Sequence, residues 1–316
     1  MNEKSVFFSE VGTLIWKILR FILLLGLSYV LLYPILYMLS ISFRPLDQMM
    51  DPSVQWIPRS FTMENFTKAW QALDYTKSIG TTLTIGGICS VLTLISCSLV
   101  GYGFARFKFK LKGFMFAMVV LTIIIPPVTV SLPTYNMFSR VSFPVIGPIL
   151  TDIFGIDIAS VNLIDNPIVF YLPAITACGL RAGLFIFIFR QFFMGLPKEL
   201  EEAALIDGCG YFRTFISIMA PNAAASFLTV FLFSFVWYWN DYFTTSMFLN
   251  QTSTISKSLS MLSGALNTMG VNTGNIYELT SKLQAGCLLT IIPLLVLYMF
   301  LQKYFIQGVE RSGMVG

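Results

Sequence analysis

Two groups of residues in this chain combine side chains and spacings suited to chemistry. In LPKELEEAALIDGCGYFRTFISIMAPN, Leu196 to Asn222, the acids Glu199, Glu201, Glu202 and Asp207 stand close together beside Lys198 and ahead of Arg213. Clustered carboxylates on a short segment make charge-assisted bonds to a basic surface. The second group is Arg181, within ACGLRAGLF, and Trp237, Asn240 and Asp241, within FVWYWNDYF. A guanidinium bonds hydroxyls or carboxylates, and flat rings beside an amide and a carboxylate can stack on a polyhydroxylated ring and bond its hydroxyls. Both patterns point to binding, not to making or breaking covalent bonds.

What is missing narrows the chemistry further. There is no histidine in the chain, which removes imidazole general bases, proton relays and histidine metal ligands. There is no G-x-x-x-x-G-K-[ST] loop, so no nucleotide site of that kind is expected here. Gly101-Tyr102-Gly103 is a lone G-x-G in an apolar run and reads as helix packing. Of the five cysteines, Cys89, Cys97, Cys178 and Cys287 lie in apolar runs and Cys209 in the acidic segment. They read as buried free thiols and not as a disulfide framework. No metal site, no resident cofactor and no nucleic-acid partner are expected, and no catalytic residue is assigned.

The elements that must position these groups are membrane helices. The 316 residues are 56% hydrophobic and only 11% charged, with 30 Phe and 15 Met, against about 25% charged in soluble domains. A span takes roughly 20 apolar residues, and six such stretches are expected. They lie near 18–42, 79–104, 114–138, 168–193, 222–243 and 283–301. The first is too long for a cleaved signal. Prolines 34, 126, 127, 173 and 293 fall in or beside spans, where neighbouring helices can re-satisfy the carbonyls they free.

With six spans both termini share one side. That side carries Lys4, Lys17, Arg20, Arg106, Lys108, Lys110, Lys112, Arg190, Lys198, Arg213, Lys303 and Arg311. The other carries Arg44, Arg59, Lys68, Lys77, Arg140, Lys257 and Lys282. The positive-inside rule therefore places the termini and the acidic segment in the cytoplasm. Three longer connections face outward. The one around FPVIGPILTDIFGIDIASVNLIDNP is expected to fold compactly on the outer face, and Trp56 and Trp70 read either as interfacial anchors or as part of a docking surface.

The acidic segment reads as a short helix. Pro197 suits its first turn, Glu199, Glu201 and Glu202 suit its positive end, Ala203, Ala204 and Leu205 propagate it, and Gly208 and Gly210 stop it. So short a helix is unstable alone and needs a surface to pack against.

Its spacing also carries a resemblance. Glu202-Ala203-Ala204, three residues, Gly208, nine residues, then Ile218 and Pro221 resembles the "EAA" signature of ABC importer permeases. Ala220 and Cys209 depart from the residues usual at those points. Further pieces in order resemble the second, maltose-permease-like subunit of carbohydrate importers: SFTMENFTKAW, the run ending Tyr102-Gly103-Phe104-Ala105-Arg106, LPTYNMF, FVWYWNDYF and the tail LQKYFIQGVERSGMVG.

The resemblance implies a single all-α permease domain over 1–316 with the type I importer fold. Its parts are a first span at 18–43, an outer segment at 44–76, a core at 76–305 and a coupling helix at about 197–208. It implies that Glu199, Glu202, Ala203, Ala204, Asp207 and Gly208 meet an ATPase subunit, with ATP and magnesium held on that separate chain. The other implied partners are a second homologous permease, two ATPases in all, an extracytoplasmic solute-binding protein, a sugar and the lipid of a bacterial inner membrane.

On a continuous helix Gly179 and Gly183 make a G-x-x-x-G packing face and Arg181 points the opposite way. It then lines a translocation path or makes a structural bond. Asn240 and Asp241 read as gate or packing positions, and the rings around them chiefly as an interfacial aromatic belt. Two other functions stay open: a permease for a peptide or polyamine, and an ion-driven secondary transporter. The second would need buried carboxylates and an internal repeat, for which the spans offer almost no acids.

Overall fold

The computed structural model describes residues 3–54, 56–142, 160–271 and 274–313. In chain order its helices are α1 (Glu3–Ser42), α2 (Leu46–Met49), α3 (Glu64–Ala72), α4 (Tyr75–Arg106), α5 (Lys112–Ile124) and α6 (Pro127–Ser139). There follow α7 (Ile168–Ile175), α8 (Ala182–Gly195), α9 (Glu199–Ile206), α10 (Tyr211–Asn222), α11 (Ala224–Asn240) and α12 (Phe243–Phe248). The last are α13 (Ile255–Ser260), α14 (Leu262–Thr268) and α15 (Ile276–Gly313). The only described strands, β1 (Val141–Ser142) and β2 (Ser160–Val161), pair antiparallel. The chain is all-α, as its composition requires. Its contacts form two units, Met1–Ala72 with Leu262–Ile291 and Leu73–Met261 with Ile292–Gly316.

Among the described residues three helices are long and apolar enough to span a bilayer: Gly12–Ser42, Tyr75–Arg106 and Ile276–Lys303. The third expected span, 114–138, is not a straight helix, while the fifth, 222–243, is matched by α11 with a bend at its start. Lys112–Ile124 and Pro127–Ser139 meet at 101°, and Tyr211–Asn222 and Ala224–Asn240 meet at 81°. At the first bend Pro126 and Pro127 lack N–H donors, and Ile125, preceding a proline, is held extended at ψ 124°. At the second, α10 contains a π-helical turn over Phe215–Met219 followed by Pro221, and such turns shift the backbone register. The expected fourth span, 168–193, is broken between α7 and α8.

In the first unit, the most apolar part of α1 has no buried residue, as suits a helix whose solvent is lipid, and of its described side chains only those at its end, Ser40–Ser42, are buried. Its C-terminal carbonyls are closed by the segment that follows. Asn65 Nδ2 donates to Ser42 O and to Arg44 O, each at 3.0 Å, and Ser281 Oγ donates to Asn65 Oδ1 at 3.2 Å. Gln48 fixes the intervening loop by donating to Ser60 Oγ at 2.6 Å and accepting from the Arg59 amide at 2.9 Å. Hydrogen bonds from Ser53 hold the exposed Asp51 carboxyl below its usual range. Trp56 packs edge-on to Tyr33 at 5.2 Å.

In the second unit, α4 is the central post, packed on α7, α8 and α11. Its buried face is a run of small residues, among them Thr82, Gly86, Ser90, Thr93, Cys97 and Gly101, the pattern that lets membrane helices approach closely. Gly101 makes the tightest approach: a Cβ there would stand 2.6 Å from Phe189 Cβ and 3.1 Å from the Arg190 amide of α8. Gly101 of the G-x-G is thus a packing element, as read, whereas a Cβ at Gly103 would meet nothing within 4 Å. Phe185, Phe189, Phe193, Phe215 and Met219 fill the core beside Tyr102. At the start of α4, Thr82 Oγ1 accepts the Ile255 amide at 2.8 Å, and Ser78 and Ser258 hydroxyls bond at 2.8 Å.

The connection after α6 is pinned at both ends. Leu163 N donates to Phe138 O at 2.9 Å, and Asp165 Oδ1 accepts the Asn250 and Gln251 amides at 2.9 and 3.0 Å. The middle of the expected outer loop, 143–159, lies outside the described residues. All five cysteines are free: Cys89 and Cys97 are buried, as expected, but Cys178 is exposed at the break after α7 and Cys209 and Cys287 are half-covered.

Candidate functional site

The break between α7 and α8 begins with Pro173, which cannot donate inside α7. Ala177, at φ +57°, then takes the left-handed conformation that ends a helix, and Cys178 N reaches back to Pro173 O at 2.8 Å. Arg181, at φ +58°, is a second left-handed residue, and its carbonyl accepts from Leu184 and Phe185 to start α8. Left-handed non-glycine residues cost about 1–3 kcal/mol each and persist where surrounding structure holds them. Here α4 and α11 do the holding. Ser96 Oγ donates to the freed Ala174 carbonyl at 2.6 Å, and Tyr238 Oη accepts the Leu180 amide at 3.3 Å.

The helical G-x-x-x-G reading of this stretch is therefore corrected. Gly179 lies in the break against Tyr238 and Ala174, and Gly183 lies in α8 against Thr122 and Val119 of α5. The two glycines serve different neighbours. Arg181 is at the mouth of α8 and not on the far face of a continuous helix.

A cavity of about 390 Å³ opens at this break, bounded by α5, α6, α7, the start of α8, α11 and α12. That volume is within the roughly 300–1,000 Å³ of small-molecule sites. Its walls are mostly apolar, with Thr122, Ser131, Thr134, Arg181, Asp241 and Thr244 as the polar points. The Arg181 guanidinium carbon lies 5.4 Å from the centroid of the Trp237 ring, a cation–π contact. Trp237 is in turn held by Phe185 at 5.5 Å. No described carboxylate forms an ion pair with Arg181 among the three ion pairs found.

Asp241 lines the same cavity but is already engaged. Its carboxylate accepts the Thr244 and Thr245 amides at 3.2 Å each, which starts α12, and its carbonyl accepts Ser256 Oγ at 2.9 Å. Asn240, paired with it in the sequence reading, is exposed, bonds back to Val236 O at 2.9 Å, and does not line the cavity. Of the neighbouring rings, Tyr242 is exposed and Trp237 half-buried, and two others do not fit an interfacial belt. Tyr238 and Trp239 are 5% and 1% exposed and belong to the protein core.

The acidic segment forms α9, two turns long, starting after Pro197 and not at it. Its end is a Schellman motif: Cys209 N bonds Ala204 O at 2.9 Å and Gly208 sits at φ +81°. Glu199, Glu202, Ala203, Asp207 and Gly208 are exposed, as a docking face needs. Ala204, expected among them, is buried at 3%, because it shares an inner face with Glu201 three residues earlier. Ile206, 85% exposed, completes the outer face.

Glu201 and Tyr238 are the functional positions the sequence reading missed. Tyr102 Oη donates to Glu201 Oε1 at 2.6 Å, and Arg106 Nε lies 3.5 Å from Glu201 Oε2. Three adjacent-looking glutamates hold no internal sign of which one turns inward. The available signal was spacing: Glu201 and Ala204 are i and i+3, so they occupy one face and Glu199, Glu202 and Ile206 another.

Comparison with known proteins follows the same lines. The family model described as "Binding-protein-dependent transport system inner membrane component" matches residues 97–311. The arabinooligosaccharides transport system permease protein AraQ of Halalkalibacterium halodurans is 29% identical, over 95% of this chain and 98% of the relative. The melibiose/raffinose/stachyose import permease protein MelC of Bacillus subtilis is 30% identical, over 84% and 86%. A chain from the crystal structure of a bacterial ABC transporter involved in the import of the acidic polysaccharide alginate shares the fold, with a TM-score of 0.73 at 19% identity, over 93% and 98%.

Proposed function

The chain belongs to the family of binding-protein-dependent transport system inner membrane components, and on that premise we propose that it is one permease subunit of an ATP-driven importer of a sugar or oligosaccharide. The single observation that carries the reading is α9, a short acidic helix whose outer face is free while its inner face is anchored to α4. Such a helix receives motion from a soluble partner and passes it to the membrane part. Relatives named for arabinooligosaccharides and for melibiose, raffinose and stachyose support a carbohydrate as cargo.

In this reading the chain performs no covalent chemistry. Two ATPase subunits hydrolyse ATP on the cytoplasmic side, one of them docked on Glu199, Glu202, Ala203, Asp207 and Ile206. A second, homologous permease completes the path, and an external binding protein delivers the sugar. Both termini are cytoplasmic. The cavity at the broken helix lies on the sugar's route, where Arg181 offers a hydroxyl donor and Trp237, outside the lining, backs the guanidinium.

The basic residues support this orientation. Within the second unit, the end of α4 carries Arg106 and meets α9, while its start meets α13. Across 32 residues, at 1.5 Å each, the two ends stand about 48 Å apart. Lys108, Lys110 and Lys112 follow Arg106 in the same short connection, and Lys198 lies two residues from Leu196, whose carbonyl Arg106 holds.

The test is a mild-detergent pull-down from the native membrane, with retained chains identified by mass spectrometry and Glu202→Lys run alongside. An ATPase and a second permease are expected with the wild-type chain, and loss of the ATPase with the variant. A chain recovered alone, whose transport ignores ATP depletion, would return the ion-driven secondary transporter to first place.

A further inference from the structure

Resting on the importer reading, we propose that Glu201 is a positioning residue that locks α9 to α4, so that the two move as one rigid body when a partner pushes on the helix. The observations come from one buried polar knot. The Arg106 and Glu201 side chains are 5% and 11% exposed. Arg106, the last residue of α4, approaches Glu201 at 3.5 Å and donates through Nη2 to the Leu196 carbonyl at 2.7 Å. A single guanidinium thereby ties three chain ends: α4, the exit of α8 and the inner face of α9. Tyr102, one turn earlier on α4, adds its short bond to the other Glu201 oxygen.

The Tyr102 ring is itself fixed. It is 4% exposed and packs on Phe193 at 5.5 Å and on Phe215 at 5.2 Å. Its hydroxyl therefore has one place to be, and Glu201 is where it points. Beyond the knot Ala204 is buried on the same inner face, α9 packs on α10, and Gly208, in a left-handed conformation with room for a Cβ, turns the chain toward α10. The polar clamp to α4 is confined to the N-terminal half of the helix, at Glu201.

This arrangement gives the two neighbouring glutamates different work. Glu202 faces out, where a partner can reach it. Glu201 faces in, where only this chain can. A buried ion pair is weak support for stability, and fixing a register is its best-attested use; Arg106 Nε makes no hydrogen bond, so the Nη2 bond to Leu196 and the Tyr102 bond to Glu201 carry the alignment. Loss of the lock should leave docking intact and let α9 slip against α4.

The experiment measures that slip directly. In the complex purified from the native membrane, with the five cysteines replaced by alanine, spin labels are placed at Val91→Cys on α4 and Leu205→Cys on α9, both exposed positions. Pulsed electron resonance reads the distance between them without nucleotide and after trapping with ATP and vanadate. One narrow distance, unchanged between the two states, is expected for the wild-type pair. Glu201→Gln is expected to lose it, giving a broad or state-dependent distribution while retaining the ATPase subunit. Tyr102→Phe, which keeps the ion pair, serves as the gentler variant and should broaden the distribution less.

A narrow, state-independent distance in both variants would overturn the proposal, as would a wild-type distance that changes on trapping. Loss of the ATPase from Glu201→Gln would also overturn it, because Glu201 would then act in docking. Absence of any ATPase from the wild-type complex is a separate result and sinks the importer reading instead.

Discussion

Tyr238 and Arg181 show how single side chains hold an interrupted membrane helix. The Leu180 amide at the break has Tyr238 Oη as its acceptor. Tyr238→Phe leaves that amide unsatisfied, which costs about 1–3 kcal/mol. The expected outcome is a lower melting temperature in detergent, measured against wild type at equal lipid content. Arg181→Ala removes a guanidinium from the Trp237 face, a contact worth about 0.5–2 kcal/mol. The variant is expected to retain its ATPase partner yet take up sugar less well. Unchanged uptake in vesicles with unchanged sugar preference would remove Arg181 from the route. Asp241 behaves differently because its oxygens already hold the first turn of α12: Asp241→Asn should weaken that turn and lower the melting temperature.

At the scale of elements, packing of α4 decides most of the second unit. Gly101→Ala would place a methyl 2.6 Å from Phe189 Cβ. Both neighbours are backbone or near-backbone atoms, so α4 and α8 must separate, at a cost of about 1–3 kcal/mol for an overpacked core. Reduced yield of monodisperse protein and a lower melting point are the expected readouts. Gly208→Ala tests the end of α9. Space is open there, so the effect comes only from the left-handed backbone, about 1 kcal/mol, and it should alter coupling more than folding. These two glycines were both visible in the sequence, but only one of them as a turn. The C-terminal stop of α9 follows from helix-ending chemistry, whereas the role of Gly101 depends on what another helix brings to it.

At the scale of the molecule, the side of the membrane on which α9 lies is the property that most constrains function. In a chain lacking native cysteines, Lys108→Cys, beside the Arg106 end of α4, is expected to react with an impermeant maleimide only in inside-out vesicles. Gln251→Cys, in the segment pinned by Asp165, is expected to react only in right-side-out vesicles. The reverse pattern would turn the acidic helix outward and remove the ATPase from its proposed place.

By itself the sequence determined a great deal: membrane location from too few charges, an all-helical fold because lipid leaves each backbone group to bond within the chain, and an exposed acidic helix ended by Gly208. These depend on composition and on neighbours within a few residues. Only tertiary structure decided where helices break and which side chains meet. Pro126-Pro127 could have kinked a span slightly or folded it back, and the 101° bend is set by what α5 and α6 pack against. Pro173 permitted a break, but Ser96 and Tyr238, distant in sequence, supply the hydrogen bonds that make it tolerable. Likewise Glu201 and Glu202 are chemically identical in the chain. One became a buried anchor and the other a free contact because Tyr102 and Arg106 stand at the end of a different helix, and no local rule reports on that.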